Sequence, residues 1–299
     1  MASFSNCLIC ATNYADPNGF YTPTFLTGPT GGAWSDAAPL PNMQLSPLAQ
    51  AARSLNCVAS DTQFVIDLGV PRDIAAIVLP NHNLSQSATY MFSVFSDAAL
   101  TVPVPRGSYS GTISPEVYPF GPTDFEDSHW YDGKYTAEEF GSFSVPAMAL
   151  FTPAVVGRYI LIQLIDPTNY AGYLQLPRLF VSPGYQPSYN MSYGAQLVPV
   201  DPSIITRTLG GYRSVDQRTK YREFHLTIPT LPNQEAWSQV FDQTFAAGLS
   251  KQVFFSANPS DPYNLFRFSF LANLSRIDPI TMSYYGYSGV AYSFIEVVA

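Results

Sequence analysis

The sequence predicts a mostly β protein with a larger N-terminal part and a smaller C-terminal α+β part. Proline (26), phenylalanine (21) and tyrosine (20) are abundant, and this composition favours short strands and turns over long helices. Several segments alternate apolar and polar residues, as strands with one buried face do. Only one segment, late in the chain, has the periodicity of an amphipathic helix.

The clearest strand signal lies in Thr62–Ser85. Phe64–Leu68 alternates with period two, Gly69 and Pro71 interrupt the pattern, and Ile74–Pro80 is almost wholly apolar. We interpret this as two core strands joined by a turn. Two further segments are predicted to be strands on the same grounds, namely Tyr90–Phe95 and Arg158–Ile165.

The C-terminal part combines strands with one helix. Ser203–Thr208 and Tyr221–Ile228 are predicted to be antiparallel strands around Leu209-Gly210-Gly211. Pro232–Gly248 is predicted to be a helix that begins at an Asn233 N-cap and ends at Gly248. Its apolar residues share one face, which we expect to pack on a sheet; they are Trp237, Val240, Phe241 and Phe245.

Three segments carry a resemblance to a known family. IDLG and HNLS in Thr62–Ser85, followed by YMFSVFSDA, resemble the galactose-binding-like (discoidin-type) β-sandwich of structural proteins from tailed bacteriophages. RYILIQLIDPTN and RLFVSPGYQP, within Arg158–Pro187, resemble the closing strands of that module. The C-terminal segments YREFHLTI, QVFFSANP and SFIEV resemble the domain that accompanies it in phage and prophage tail proteins.

The resemblance implies a definite domain organisation. Residues 1–185 are expected to form a jelly-roll β-sandwich with a long insertion around 101–145. Residues 186–202, rich in proline and tyrosine, are interpreted as a linker. Residues 203–299 are expected to form an assembly domain, in which the helix packs on an antiparallel sheet.

Composition and charge exclude several classes of function. The net charge is −8 and no basic run is present, which argues against nucleic-acid binding. No apolar segment reaches the roughly 20 residues of a membrane span. No secretory signal is visible at the start of the sequence, so we expect synthesis in the host cytoplasm.

The cysteines suggest neither a metal site nor a redox site. Cys7 and Cys10 form a CxxC, but Cys57 stands alone and His82 has no partner at metal-ligand spacing. We therefore interpret the three as apolar packing residues and expect no cofactor.

An acidic and aromatic stretch lies inside the predicted insertion, at Asp124–Phe140. Several of its side chains could bind a cation through oxygen ligands, although most such runs are simply solvated; they are Asp124, Glu126, Asp127, His129 and Asp132. Paired carboxylates for glycoside hydrolysis remain an open alternative, with Glu138 and Glu139 among the candidates. The chain has only three histidines and no hydrolase or nucleotide-binding motif, so we predict that it is not an enzyme.

Two functions remain. The resemblance implies a virion structural protein at the tail tip or baseplate. Such a distal-tail or upper-baseplate component joins the tail tube to the central hub and the fibres. It would do so by forming a ring of its own copies and by contacting other tail proteins. The alternative is an adhesin that binds host-surface glycan through loops of the sandwich. The candidate contact residues are Asn81, His82, Asn83, Trp130, Tyr131 and Tyr135, whereas Trp34 is interpreted as a packing residue.

Overall fold

The computed structural model describes residues 6–298, except 19, 30, 120, 122, 123, 142, 143 and 208. Strands hold 42% of the chain and helices 8%, which confirms the predicted mostly β class. The strands are β1 Leu8–Cys10, β2 Thr24–Thr27, β3 Ala52–Arg53, β4 Gln63–Leu79, β5 Thr89–Phe95, β6 Pro103–Thr112, β7 Ala147–Ile165, β8 Gln175–Leu176, β9 Phe180–Ser182, β10 Gln196–Val200, β11 Ile204–Arg207, β12 Arg213–Asp216, β13 Tyr221–Pro232, β14 Val253–Ser256, β15 Ser269–Leu274, β16 Thr281–Tyr284 and β17 Tyr287–Glu296.

Helical structure is limited to short segments. A 3₁₀ turn spans Leu40–Gln44 and helix α1 spans Ala137–Phe140. The main helix is built from α2 Asn233–Glu235, a π-helical stretch Ala236–Phe241, and α3 Asp242–Ala247. No helix among the described residues is long and apolar enough to cross a membrane.

The chain divides into two compact units. The first contains the described residues up to Gln186 together with Phe254–Phe270, and the second contains Pro187–Val253 and Leu271–Val298. From the sequence, Phe254–Phe270 is expected to belong to the C-terminal domain, residues 203–299. The segment belongs to the first unit because β14 pairs with β1, where Ile9 faces Phe255.

The first unit is a β-sandwich made from one strongly bent antiparallel sheet. The strand order is β2-β4-β7-β5-β6, and β9 adds to β4. The long strands β4 and β7 run through both halves, so the inner faces of the two halves enclose a common apolar core. Fully buried core residues come from each half, with Phe64, Phe92 and Ile160 on one and Ile77 and Ala149 on the other.

The interruption after Leu68 is a bend and not a turn between two strands. Gly69 has φ +80°, a conformation that favours glycine. The pairing of β4 with β7 shifts register between Asp67 and Arg72 but continues on both sides. Opposite the bend, Gly157 has no room for a side chain, because a Cβ there would lie 2.2 Å from Val94 Cγ1. The prediction of two separate strands was therefore wrong, because a bulge bends one strand from the first half of the sandwich into the second.

Other sequence predictions for the first unit also need correction. The first quarter of the predicted insertion contains β6, an edge strand paired with β5, so the long loop begins only at Ile113. Trp34 packs edge-on against Phe64 with ring centroids 5.4 Å apart, which confirms its packing role. Cys7 and Cys10 are buried, as expected, and burial raises the pKa of the Cys10 thiol to about 12.

The second unit contains an antiparallel sheet in the order β15-β17-β13-β10, and β16 pairs with β17. The strand β10 falls inside the predicted linker, and its residues pair with β13 from Gln196 to Val200. The strands β11 and β12 form a hairpin whose residues are exposed on both faces. The predicted pairing of Ser203–Thr208 with Tyr221–Ile228 was wrong, since β11 pairs with β12 and leaves β13 to the main sheet.

The main helix lies where the sequence predicted it, with two differences. Pro232 occupies the N-cap position, and Asn233 Oδ1 instead accepts a hydrogen bond from Ser288 Oγ at 2.7 Å. Gly248 ends the helix with φ +56°, as expected. The predicted apolar face is only partly covered, because Val240 is buried whereas Phe245 is 81% exposed.

Candidate functional site

Several long loops meet at one end of the sandwich. The strand registers place Gln63 opposite Gln163, and Thr89 opposite both Thr112 and Ile165. The loops that leave these strand ends therefore lie on the same side of the first unit. We call this region the loop end and define it as Arg53 and the described residues of 54–62, 80–88, 113–146 and 166–174.

A buried carboxylate braces the loop end. Asp166 Oδ2 accepts hydrogen bonds from the backbone N–H of Ser85 at 2.8 Å and from Asn169 Nδ2 at 2.9 Å. Asp166 Oδ1 accepts from Ser85 Oγ at 2.5 Å. Because Asp166 is fully buried and Asn169 nearly so, these charge-assisted bonds fix the loop 80–88 against the loop 166–174.

Asn83 belongs to this bracing framework. Its Nδ2 donates to Tyr173 O at 2.9 Å, and its Oδ1 accepts from Gln175 N at 2.7 Å. Its carbonyl oxygen accepts from Asn169 Nδ2 at 2.8 Å. The amide that the sequence analysis selects for ligand contact thus makes two hydrogen bonds within the fold, one through each of its polar atoms.

Asn81 and His82 are also held by protein contacts. Asn81 has φ +53° and its Oδ1 accepts from Ser144 Oγ at 2.6 Å. His82 Nδ1 accepts from Leu84 N at 3.3 Å, while its Nε2 is buried and makes no hydrogen bond with any described residue. Burial lowers the pKa of His82 to about 4, so the ring is neutral at pH 7.

The three aromatic candidates in the insertion have different environments. Trp130 packs edge-on against Phe125 with centroids 4.8 Å apart, and Tyr131 is 91% exposed. Tyr135 is buried, and its hydroxyl accepts hydrogen bonds from Arg267 at 2.7 and 3.1 Å. The carbonyl oxygen of Tyr135 accepts from Gln86 Nε2 at 2.5 Å, which joins the insertion to the loop 80–88.

The acidic stretch is organised around His129. Its Nδ1 lies 2.8 Å from Lys134 O, its Nε2 lies 3.2 Å from Glu139 Oε1, and its ring stacks on Tyr118 with centroids 4.4 Å apart. Glu139 closes a capping box with Thr136, and the hydrogen bond from Thr136 N–H lowers the pKa of Glu139. Among the described residues no group of three metal-ligating side chains comes together. Asp127 Oδ1 and Asp132 Oδ1 accept hydrogen bonds from the backbone N–H groups of His129 at 2.9 Å and Lys134 at 3.1 Å.

Two tyrosines and one arginine of the loop end escaped the sequence analysis. Tyr170 is 91% exposed, and Tyr173 carries the guanidinium of Arg53 over its ring, with Cζ 3.3 Å from the ring centroid. Arg53 and Tyr173 lie 120 positions apart in the chain, and the pairing of β3 with β8 brings them together. Tyr170 follows the turn residues Asp166-Pro167-Thr168-Asn169, where an exposed aromatic residue could have been noted from the sequence.

The second unit has an apolar groove of about 310 Å³ between the main helix and the sheet. Trp237, Phe241 and Phe245 form its helical side, while Ile277 and Ile280 contribute from the segment after β15. Asp278 also lines the groove; its Oδ1 accepts from Arg276 Nε at 2.7 Å, and its Oδ2 makes no hydrogen bond with a described residue.

Several solved structures that are similar to this chain are carbohydrate-binding modules. The family 32 module of NanJ from C. perfringens, in complex with galactose, is 10% identical over 54% of this chain and 92% of its own, with a TM-score of 0.34. A Streptococcus pneumoniae fucose-binding module is 9% identical over 57% of this chain and 94% of its own, also with a TM-score of 0.34.

The lectin domain of lectinolysin, in complex with Lewis B antigen, is 12% identical over 57% of this chain and 95% of its own, with a TM-score of 0.34. No family model and no curated protein matches the chain. These low similarities assign no ligand to this chain.

Proposed function

We propose that this chain is a non-catalytic virion protein of a phage tail tip whose first unit binds carbohydrate through the loop end. One observation carries the binding role. The loop end displays three aromatic rings that the fold leaves open to solvent, on Phe125, Tyr131 and Tyr170. Binding residues are concentrated on loops that a rigid scaffold positions, and exposed aromatic residues supply large contact areas at little entropic cost.

The framework of the loops supports this role. Asp166 and Asn83 hold the loops 80–88 and 166–174 together, and Gln86 holds the insertion. Rings on braced loops are preorganised, so less free energy is needed to order them when a ligand binds. The C–H faces of a sugar ring pack on such aromatic rings, while the sugar hydroxyls remain available for hydrogen bonds. The virion location rests on the sequence resemblance.

A glycan array probed with the full chain tests the binding role. We expect binding to a defined subset of glycans, and a loss of about tenfold in affinity, or about 1.4 kcal/mol, for Tyr131→Ala or Tyr170→Ala. Tyr285→Ala is the matched control, because Tyr285 is equally exposed but lies in the second unit. Absence of binding to every glycan, or equal affinity of all three variants, would contradict the proposal.

A second candidate function is assembly into a ring of copies, as a distal-tail or upper-baseplate component. It is favoured by the open face of the main helix, where Phe245 and its neighbour Phe241 stack with centroids 5.8 Å apart. Apolar area of this kind is unusual on a monomer surface away from a binding site. Closed heterologous contacts between copies produce rings.

Mass measurement after size exclusion tests the second candidate. We expect multimers for the full chain and their loss in Phe245→Glu, because a charge on the contact face has to be desolvated. Phe125→Glu, an equivalent change at the loop end, is expected to leave assembly intact. A strict monomer at every protein concentration would remove this candidate and leave the glycan proposal untouched.

A further inference from the structure

Arg53 occupies a fixed position at the loop end. Its backbone N–H donates to Ala38 O at 2.9 Å, and its carbonyl oxygen accepts from Ser35 N at 2.9 Å. Its Cα pairs with that of Gln175 across β3 and β8. The backbone that carries the side chain is therefore held on both edges, although the side chain itself is exposed.

The ring of Tyr173 fixes the guanidinium group. Arg53 Cζ lies 3.3 Å from the ring centroid, a distance at which the planar cation stacks on the aromatic face. Asn83 Nδ2 donates to the carbonyl oxygen of Tyr173 at 2.9 Å, so the stacking platform is part of the braced framework. A stacked guanidinium keeps its N–H donors at the rim, where they point away from the ring.

The positive charge of Arg53 is not neutralised within the described part of the chain. No carboxylate there lies within ion-pair distance of its guanidinium, and no described acceptor receives a hydrogen bond from it. Asp166, in the same loop as Tyr173, is buried and bonded to Ser85 and Asn169. Five of the other ten arginines have carboxylate partners, namely Arg158, Arg178, Arg218, Arg222 and Arg276.

We propose that Arg53 binds an anionic group of the glycan, a sugar carboxylate or a sulfate ester, through the N–H donors that its stacking on Tyr173 leaves available. A planar guanidinium binds such groups with two parallel N–H···O bonds, and these charge-assisted bonds are roughly twice as strong as neutral ones. This inference rests on the proposed glycan-binding role and specifies its ligand class. The chain has a net charge of −8, so its overall charge does not favour an acidic ligand and a local cation is needed.

Paired glycans that differ only in the anionic group test the inference on the unmodified full chain. The pairs are a uronic or sialic acid glycan and its reduced, neutral form, and a sulfated glycan and its desulfated form. We expect the acidic member of at least one pair to bind about tenfold more tightly in low salt, and the difference to shrink as salt screens the charge. The pair that shows the difference identifies the carboxylate or the sulfate as the group that is bound.

Variants connect the preference to this side chain. Arg53→Gln is expected to abolish the difference between acidic and neutral members, and Arg53→Lys to restore only part of it, because an ammonium lacks the planar fork. Arg72→Gln is the matched control, since Arg72 also lies over tyrosine rings, at 4.7 and 4.9 Å, but in the bend of β4.

Equal affinity for both members of every pair would overturn the inference while the glycan-binding role stands. The same holds if the preference survives in Arg53→Gln. Absence of binding to any glycan would overturn both proposals.

Discussion

The first unit displays exposed aromatic rings on the loops of its loop end, and the second unit displays exposed aromatic rings along its main helix. In the first unit Phe64 and Phe92 on the strands are fully buried, and the open rings of Phe125, Tyr131 and Tyr170 lie on loops. In the second unit the open rings of Phe241 and Phe245 lie on the main helix itself. Rings on braced loops suit a small ligand, whereas rings along a helix suit an extended protein surface. This difference is the basis of our proposal that the chain has two separate binding surfaces.

The largest expected effect concerns the buried rings of the first unit. Phe64 is fully buried and contacts Phe25 and Trp34, so Phe64→Ala should lower the free energy of unfolding of that unit by about 3 to 5 kcal/mol. Hydrogen exchange of the β4 and β7 amides measures the stability of the first unit separately from that of the second.

Phe245→Ala serves as the control for this comparison. Because Phe245 is 81% exposed in the single chain, we expect a change within about 0.5 kcal/mol for its unit at protein concentrations where the chain is monomeric. Equal losses in the two variants would show that the helix face is buried in the protein, and the contrast between the units would fail.

A smaller effect concerns pH and the buried ring of His82. Its pKa is lowered to about 4 in the folded chain by burial, against about 6.5 when unfolded. Between these values the unfolded chain binds more protons, so stability falls as pH drops from about 6.5 to 4, by at most about 3 kcal/mol. Stability measured by hydrogen exchange across this range should lose most of its slope in His82→Gln.

His225 provides the comparison within the second unit. Its side chain is 41% exposed and its Nε2 lies 3.7 Å from Glu223 Oε2, so His225→Gln should leave the slope of the first unit unchanged. If stability depends on pH equally in the wild type and in His82→Gln, the claim that the folded chain keeps the His82 ring buried and neutral would be contradicted.

The smallest expected effect on stability comes from comparing one aspartate at the loop end with one at the opposite end of the sandwich. Asp166→Asn keeps the shape of the side chain but removes its charge, and should cost about 1 to 2 kcal/mol through weaker bonds to Ser85 and Asn169. Asp97 likewise accepts bonds from Thr101 and Val102, but in an exposed turn. Asp97→Asn should therefore change stability less, and it should not affect glycan binding. A larger loss of stability in Asp97→Asn than in Asp166→Asn would show that Asp166 does not hold the loops together.

The sequence predicted the strands better than it predicted their bends. Alternation in Phe64–Leu68 and Tyr90–Phe95 follows from one buried face, which is a local property. The continuation of β4 past Gly69 depends on pairing with β7, about 90 residues away. Local patterns contain no information on such pairing, so the bulge was interpreted as a turn.

The candidate site was predicted only in outline. The loops that carry Asn81–Asn83 and Trp130–Tyr135 do meet at one end, but most of these side chains serve the framework. The stacking of Arg53 on Tyr173 joins distant parts of the chain, and only the folded structure shows it. Exposed Tyr131 was selected from the sequence, while Tyr170 was not.

Hydrogen exchange of the full chain with and without its best glycan tests the central claim most directly. We predict slower exchange confined to the loop end, above all in the loops 80–88 and 166–174, with the main helix and the β11–β12 hairpin unchanged. Slower exchange in the main helix instead, or no change anywhere at saturating glycan, would contradict carbohydrate binding at the loop end.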